Sequence, residues 1–164
     1  MAGVNGGFFH PDRQPCELVI SKGQRINRFG TAKFPSGKIY SDERGIHLVR
    51  RGRFHDHPHI TALLQTGPYL VENARPVRGL STADPRRRTF VATDWRGHWV
   101  IGATPSGLTL AELEAILAFP DDLTPWRVDR AINLDGGSSS EPLGESRRLV
   151  GVSHATRANS LSSR

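Results

Sequence analysis

Apolar residues in this 164-residue chain come in short runs cut off by glycine, proline or charge, and that punctuation constrains the fold most. Strand-like runs recur at Glu17 to Ile20, Gly45 to Arg51, Ile60 to Leu64, Thr89 to Thr93, Trp99 to Ala103, Ala131 to Leu134 and Leu149 to Val152. The 17 Gly and 11 Pro supply the turns such runs need. T-F-V-A-T and W-V-I-G-A flank D-W-R-G-H, whose Gly97 marks a hairpin turn. One segment reads differently. In G-L-T-L-A-E-L-E-A-I-L-A-F-P, Thr109 caps a helix and Glu112, three residues on, completes a capping box. Leu110, Leu113, Ile116 and Leu117 fall on one helical face, and Pro120 stops it. The expected fold is α+β: a mixed, strand-rich sheet with a few packed helices, in a single domain spanning 1–164.

A chain of this length can bury roughly 70% of its unfolded surface, so it needs no covalent staple. Cys16 is its one cysteine, which excludes an internal disulfide. The start, M-A-G-V-N-G-G-F-F-H, lacks the basic and apolar regions of a signal peptide, which makes cytoplasmic the default compartment. No stretch approaches the roughly 20 apolar residues of a membrane span. The net charge of +6 points to anionic partners, with clusters at Arg50, Arg51 and Arg53, at Arg86 to Arg88, and at Arg147 and Arg148. Base-stacking aromatics are not interleaved with them, so nucleic acid is the weakest of the candidate partners. Nothing in the sequence specifies an oligomer.

Three segments share one design, an apolar run ending in glycine beside a polar side chain. They are G-V-N-G-G-F-F with Asn5, L-Q-T-G-P-Y-L-V with Gly67, and I-N-L-D-G-G-S-S-S with Asn133, Asp135, Gly136, Gly137 and Ser139. Glycine lets consecutive backbone N–H groups turn toward an anion without a Cβ in the way. A single such loop is more often a plain tight turn; three in one short chain point to a ligand site. The phosphate-loop pattern G-x-x-x-x-G-K-[ST] is absent, which removes a nucleotide-binding reading.

The ordered set N-G-G-F-F, T-G-P-Y-L-V, R-T-F-V-A, G-L-T-L-A-E-L and A-I-N-L-D-G-G-S-S-S resembles the phosphodiester glycosidase family. That family includes the uncovering enzyme of lysosomal targeting and bacterial proteins related to exopolysaccharide; its members are often exported. The resemblance runs from about Ala2 to Leu161, closing on R-A-N-S-L. It implies hydrolysis of the bond between an anomeric carbon and a phosphate oxygen, releasing a free sugar and a phosphomonoester from a sugar-phosphate or phosphoglycan. It carries catalytic roles to Asp135, Arg88 and Asn5, and substrate contacts to Gly67, Asn133, Gly136, Gly137, Ser139, Arg157 and Asn159. The chain departs from the pattern at Ser138, where a third glycine is usual, and at Ala92. Its N-G-G-F-F motif also begins at the fifth residue, where family members carry a strand-bearing region first.

In the mechanism these residues permit, phosphate is already a good leaving group, so the demand falls on stabilising charge. Arg88 offers a two-pronged phosphate contact and the glycines offer N–H donors. Asp135 serves as nucleophile, or as base toward water, with Glu72, Asp84 and Glu141 as candidate second carboxylates. A divalent cation, Ca or Mg, held by Asp135 and nearby carbonyls would suit phosphate oxygens. The F-H-D-H-P-H run, with His55, Asp56, His57 and His59, reads as an exposed loop before it reads as a metal site. Ser138 to Ser140 lack a G-x-S-x-G elbow, which argues against a serine nucleophile. Two other functions fit parts of the sequence: a non-catalytic glycan or phosphoglycan-binding module, and a basic nucleic-acid-binding protein.

Overall fold

The computed structural model describes residues 15–27, 36–119, 123–136 and 152–154. Its strands form two antiparallel sheets. The first has five strands in the order β2 (Gln24–Arg25), β1 (Val19–Ser21), β5 (Ala62–Thr66), β3 (Gly37–Asp42), β4 (Gly45–Arg50). The second has six: β11 (Val152–His154), β9 (His98–Ala103), β8 (Arg88–Thr93), β10 (Arg130–Gly136), β6 (Tyr69–Glu72), β7 (Arg75–Pro76). The strand-rich α+β expectation holds, with every described pairing antiparallel.

Side-chain alternation sorts the core into layers. Along β8, Phe90 and Ala92 face a cluster with Leu70, Val100, Ala131 and the helix α1 (Leu110–Ala118). Val91 faces the other way, joining Leu48, Tyr69, Ile132 and Leu134 between the sheets. A third cluster, Leu18, Ile20, Ile60 and Leu63, belongs to the first sheet alone. All six residues of β8 are buried, as a strand covered on both faces requires.

Helix α1 forms where the capping box predicts it. Thr109 Oγ1 accepts from Glu112 N at 3.2 Å, and Glu112 Oε2 accepts from Thr109 N at 2.8 Å. Leu110, Leu113 and Leu117 are buried against β6 and its neighbours, each contributing about 1.5–3 kcal/mol. Phe119 is extended because the following Pro120 disfavours helical backbone before it. The β8–β9 hairpin also matches its sequence signal. Asp94 Oδ1 accepts from the backbone N of Arg96 at 2.8 Å and of His98 at 3.1 Å, closing a turn in which Gly97 takes a φ of 109°.

Four strands fall outside the runs expected from sequence: the two-residue β2 and β7, and the longer β3 and β6. The L-Q-T-G-P-Y-L-V segment, read as one glycine loop, is two strands in different sheets, β5 and β6, joined only by the cis-linked Gly67-Pro68. Strand β3 was missed because its polarity does not alternate as solvent exposure would require. Lys38 is 2% exposed, with its ammonium 4.1 Å above the Phe54 ring.

That buried amine gives a pH dependence. Burial first, then repulsion from Arg51, pushes Lys38 down to about 8 from its ordinary 10.5. Between those values the unfolded chain binds the extra proton, so this contribution to stability grows as pH rises from about 8 toward 10. Urea midpoints should rise over that window by about 1–3 kcal/mol equivalent, and Lys38→Met should flatten the rise. An equally steep rise in the variant would assign it to another group.

Gly37 is packed where no side chain fits. A Cβ there would overlap Tyr69 Cε2 and Ile132 Cδ1, which belong to the second sheet. Gly37→Ala should cost about 1–3 kcal/mol by forcing the sheets apart, read as a lower urea midpoint at unchanged slope. An unmoved midpoint would mean the inter-sheet layer yields freely.

Candidate functional site

The chain passes from the first sheet to the second at Gly67, and side chains from both sides fasten the crossing. Buried Thr66 donates from Oγ1 to the carbonyls of Asn133 at 3.1 Å and Leu134 at 2.6 Å. Asn133, only 1% exposed, donates from Nδ2 to Gly67 O at 3.2 Å, while its backbone N donates to Pro68 O at 2.9 Å. Among the described residues its Oδ1 has no hydrogen-bond partner. A buried acceptor left without a donor costs about 1–3 kcal/mol. The sequence flagged Asn133 and Gly67 and missed Thr66, whose only signal was a hydroxyl next to the glycine.

Strand β10 then breaks step. Asn133 pairs with Phe90 and Gly136 with Arg88, with a register shift between them, so the backbone of Leu134 and Asp135 forms an irregular stretch. Such bulges re-aim the chain at the edge of a regular ladder. The glycine of the D-G motif, Gly136, thereby lies directly across from Arg88. Gly67, Arg88, Asn133 and Gly136 are thus brought to one end of β6, β8 and β10, through pairing or direct hydrogen bonds. Asn5, Gly137, Ser139, Arg157 and Asn159 lie outside the described residues, as do Glu141 and the side chain of Asp135.

Arg88 is more tightly held than a surface phosphate clamp would be. It is 8% exposed; Nε donates to Leu108 O and Nη2 to Asp84 O, both at 3.0 Å. Its backbone N donates to Thr104 Oγ1 at 2.9 Å, and Thr104 N returns to Arg88 O at 2.8 Å. One edge of the guanidinium therefore ties the segments before β8 and before α1 to the start of β8.

The alternative carboxylates sit elsewhere. Glu72 is at the far end of β6 from Gly67, where Oε2 accepts from Arg50 Nε at 3.0 Å and Nη2 at 2.8 Å. Those hydrogen bonds, outweighing its burial, hold the Glu72 carboxyl below its ordinary value. Asp84 is exposed, with its backbone carbonyl taken by Arg88. Asp56 pairs with Arg25, and His57 Nε2 lies 3.4 Å from Asp42 Oδ2. Among the described residues no three His, Cys, Asp or Glu side chains are arranged to hold a metal ion. Nor is any described helix long and apolar enough to cross a membrane.

Two antiparallel sheets with one capped helix, and glycine-bearing ends of β6, β8 and β10 gathered at the crossover, define a strand-rich α+β protein with a loop-built candidate site. The chain belongs to the phosphodiester glycosidase family, whose model matches residues 1–158. The match takes in the motifs from N-G-G-F-F to A-I-N-L-D-G-G-S-S-S and ends at residue 158, before Asn159 of the closing R-A-N-S-L segment. No curated protein matches the chain.

Proposed function

We propose that the chain hydrolyses the glycosidic bond of a sugar-1-phosphodiester, giving free sugar and a phosphomonoester. The observation that carries the reading is the family match over residues 1–158. The gathering of Gly67, Arg88, Asn133 and Gly136 at one strand end supports it, because these are the motif positions the chemistry needs together.

In this reading the anomeric C–O bond breaks with its electron pair leaving on the phosphate oxygen. The new bond at the anomeric carbon comes from water, directly or after a covalent step on Asp135. As base, Asp135 takes the water proton; as nucleophile, it forms the glycosyl ester that water then cleaves. Arg88 and the N–H groups of Gly136 and Gly137 stabilise the phosphate charge as it develops. Asn133 Oδ1 accepts from a sugar hydroxyl, and Asn5 orients the Asp135 loop. Ser139, Arg157 and Asn159 complete the substrate contacts.

The test is a methyl ester of a sugar 1-phosphate incubated with the purified chain. Reducing sugar and methyl phosphate should appear in equal amounts. Binding of the ester without release of either product would select the non-catalytic glycan-binding function instead.

A further inference from the structure

A polar cleft lies at the end of the first sheet away from the crossover. It has a volume of about 430 Å³ and is lined by Arg44, Arg53, His47, His55, His57 and His59 around the β3–β4 turn. Strand β3 separates it from the crossover: Gly37 pairs with Thr66 at one end, and Asp42 pairs with Gly45 at the other. Five residues of strand put the two sites about 17 Å apart.

The carboxylates that could cancel this positive lining are mostly committed. Asp42, with a side chain 7% exposed, accepts at Oδ1 from His47 Nε2 and from Arg44 N, both at 2.8 Å. Its Oδ2 faces His57 Nε2 at 3.4 Å. Against the upward push of burial, those donors hold the Asp42 carboxyl below its ordinary value. Asp56, on the same loop as the three histidines, is paired with Arg25, and Glu72, which feels the Arg53 charge, is paired with Arg50. Glu43 is the remaining carboxylate on the lining, and it is exposed. Among the described residues, neither Arg44 nor Arg53 has a carboxylate within ion-pair distance. Two guanidinium groups and four imidazoles therefore converge on a cleft with one uncommitted negative charge.

Three of the four imidazoles make ring contacts. The Tyr40 ring stacks on His47 at 4.7 Å and meets His57 edge-on at 6.2 Å, while His57 and His59 lie 6.1 Å apart. Side chains already positioned by such contacts lose less entropy when a ligand arrives. The two arginines weigh against a cation here.

We propose that this cleft is a second ligand site, taking a tetrahedral oxyanion of the phosphate or sulfate type carried as an ester on a small organic group, more tightly as pH falls. The volume leaves room for an organic carrier: a bare oxyanion fills a small part of a cleft that lies within the range of organic-ligand pockets. The pH dependence follows from imidazole, the side chain that gains charge between about pH 8 and pH 5. Guanidinium groups supply the bidentate contacts at either end of that range.

Sulfate esters suit the test because their charge is constant over that range, so any change in affinity belongs to the protein. Titration calorimetry on the whole chain, with a sulfated disaccharide and with inorganic sulfate, should show disaccharide binding about tenfold tighter near pH 5.5 than near pH 8. At the lower pH the disaccharide should bind about tenfold better than the free ion. Arg44→Gln combined with Arg53→Gln, both exposed positions, should weaken it about tenfold without moving the unfolding midpoint. Equal affinities for the two probes would overturn the assignment of an organic carrier. No binding, binding untouched by the double variant, or affinity that does not fall with rising pH would overturn the site.

Discussion

Arg88→Lys is expected to lower both folding stability and substrate affinity, because one guanidinium does two jobs at the start of β8. The structural part is on view. Nε and Nη2 donate to Leu108 O and Asp84 O from a position that is 8% exposed. A lysine ammonium keeps the charge but cannot span both carbonyls with the geometry of a planar fork. Losing one of these part-buried hydrogen bonds should cost about 0.5–1.5 kcal/mol, read as a lower urea midpoint. The second part belongs to the proposed chemistry. If the guanidinium also meets the phosphate, affinity for a sugar-1-phosphodiester should fall by about 1–3 kcal/mol on folded protein. Reduced stability with unchanged affinity would make Arg88 a structural tie alone, and would move phosphate recognition to another basic cluster.

How far the sequence exposed this architecture depends on whether each signal was local. Helix α1 was legible because its capping box, its leucine spacing and Pro120 all lie within one short segment. The β8–β9 hairpin was legible for the same reason, through Asp94 and Gly97. Strand β3 was not, because burial of Lys38 beneath Phe54 depends on a contact made after folding. Nor was β6 separable from the loop before it. The glycine and proline at 67 and 68 mark a break, but only the sheet pairing reveals that the break changes sheets.

The candidate site divides in the same way. Glycine-ended runs identified Gly67, Asn133 and Gly136 from residue type alone, and the structure brings them together through the Asn133–Gly67 hydrogen bond and the Gly136–Arg88 pairing. The sequence could not show that Arg88 spends two donors on backbone carbonyls, because Leu108 lies twenty residues away in the chain. It could not show that Glu72 is held by Arg50, which weakens Glu72 as the second carboxylate. Long-range pairing is where sequence reading loses its grip.

The central claim is that Asp135 carries the reaction, and Asp135→Asn tests it most directly. The amide is nearly isosteric with the carboxylate, and the bulge that holds this residue is set by backbone pairing and by Thr66 on the carbonyls of Asn133 and Leu134. The variant should therefore fold with an unchanged unfolding midpoint. It lacks the charge and the basicity that a nucleophile or base needs, so sugar release from a sugar-1-phosphodiester should fall by about 10²–10⁴-fold or more. Midpoint and turnover measured on one preparation separate loss of chemistry from loss of fold. Intact stability with turnover reduced by that factor is the predicted result. An equally stable Asp135→Asn protein that releases sugar at the wild-type rate would contradict it.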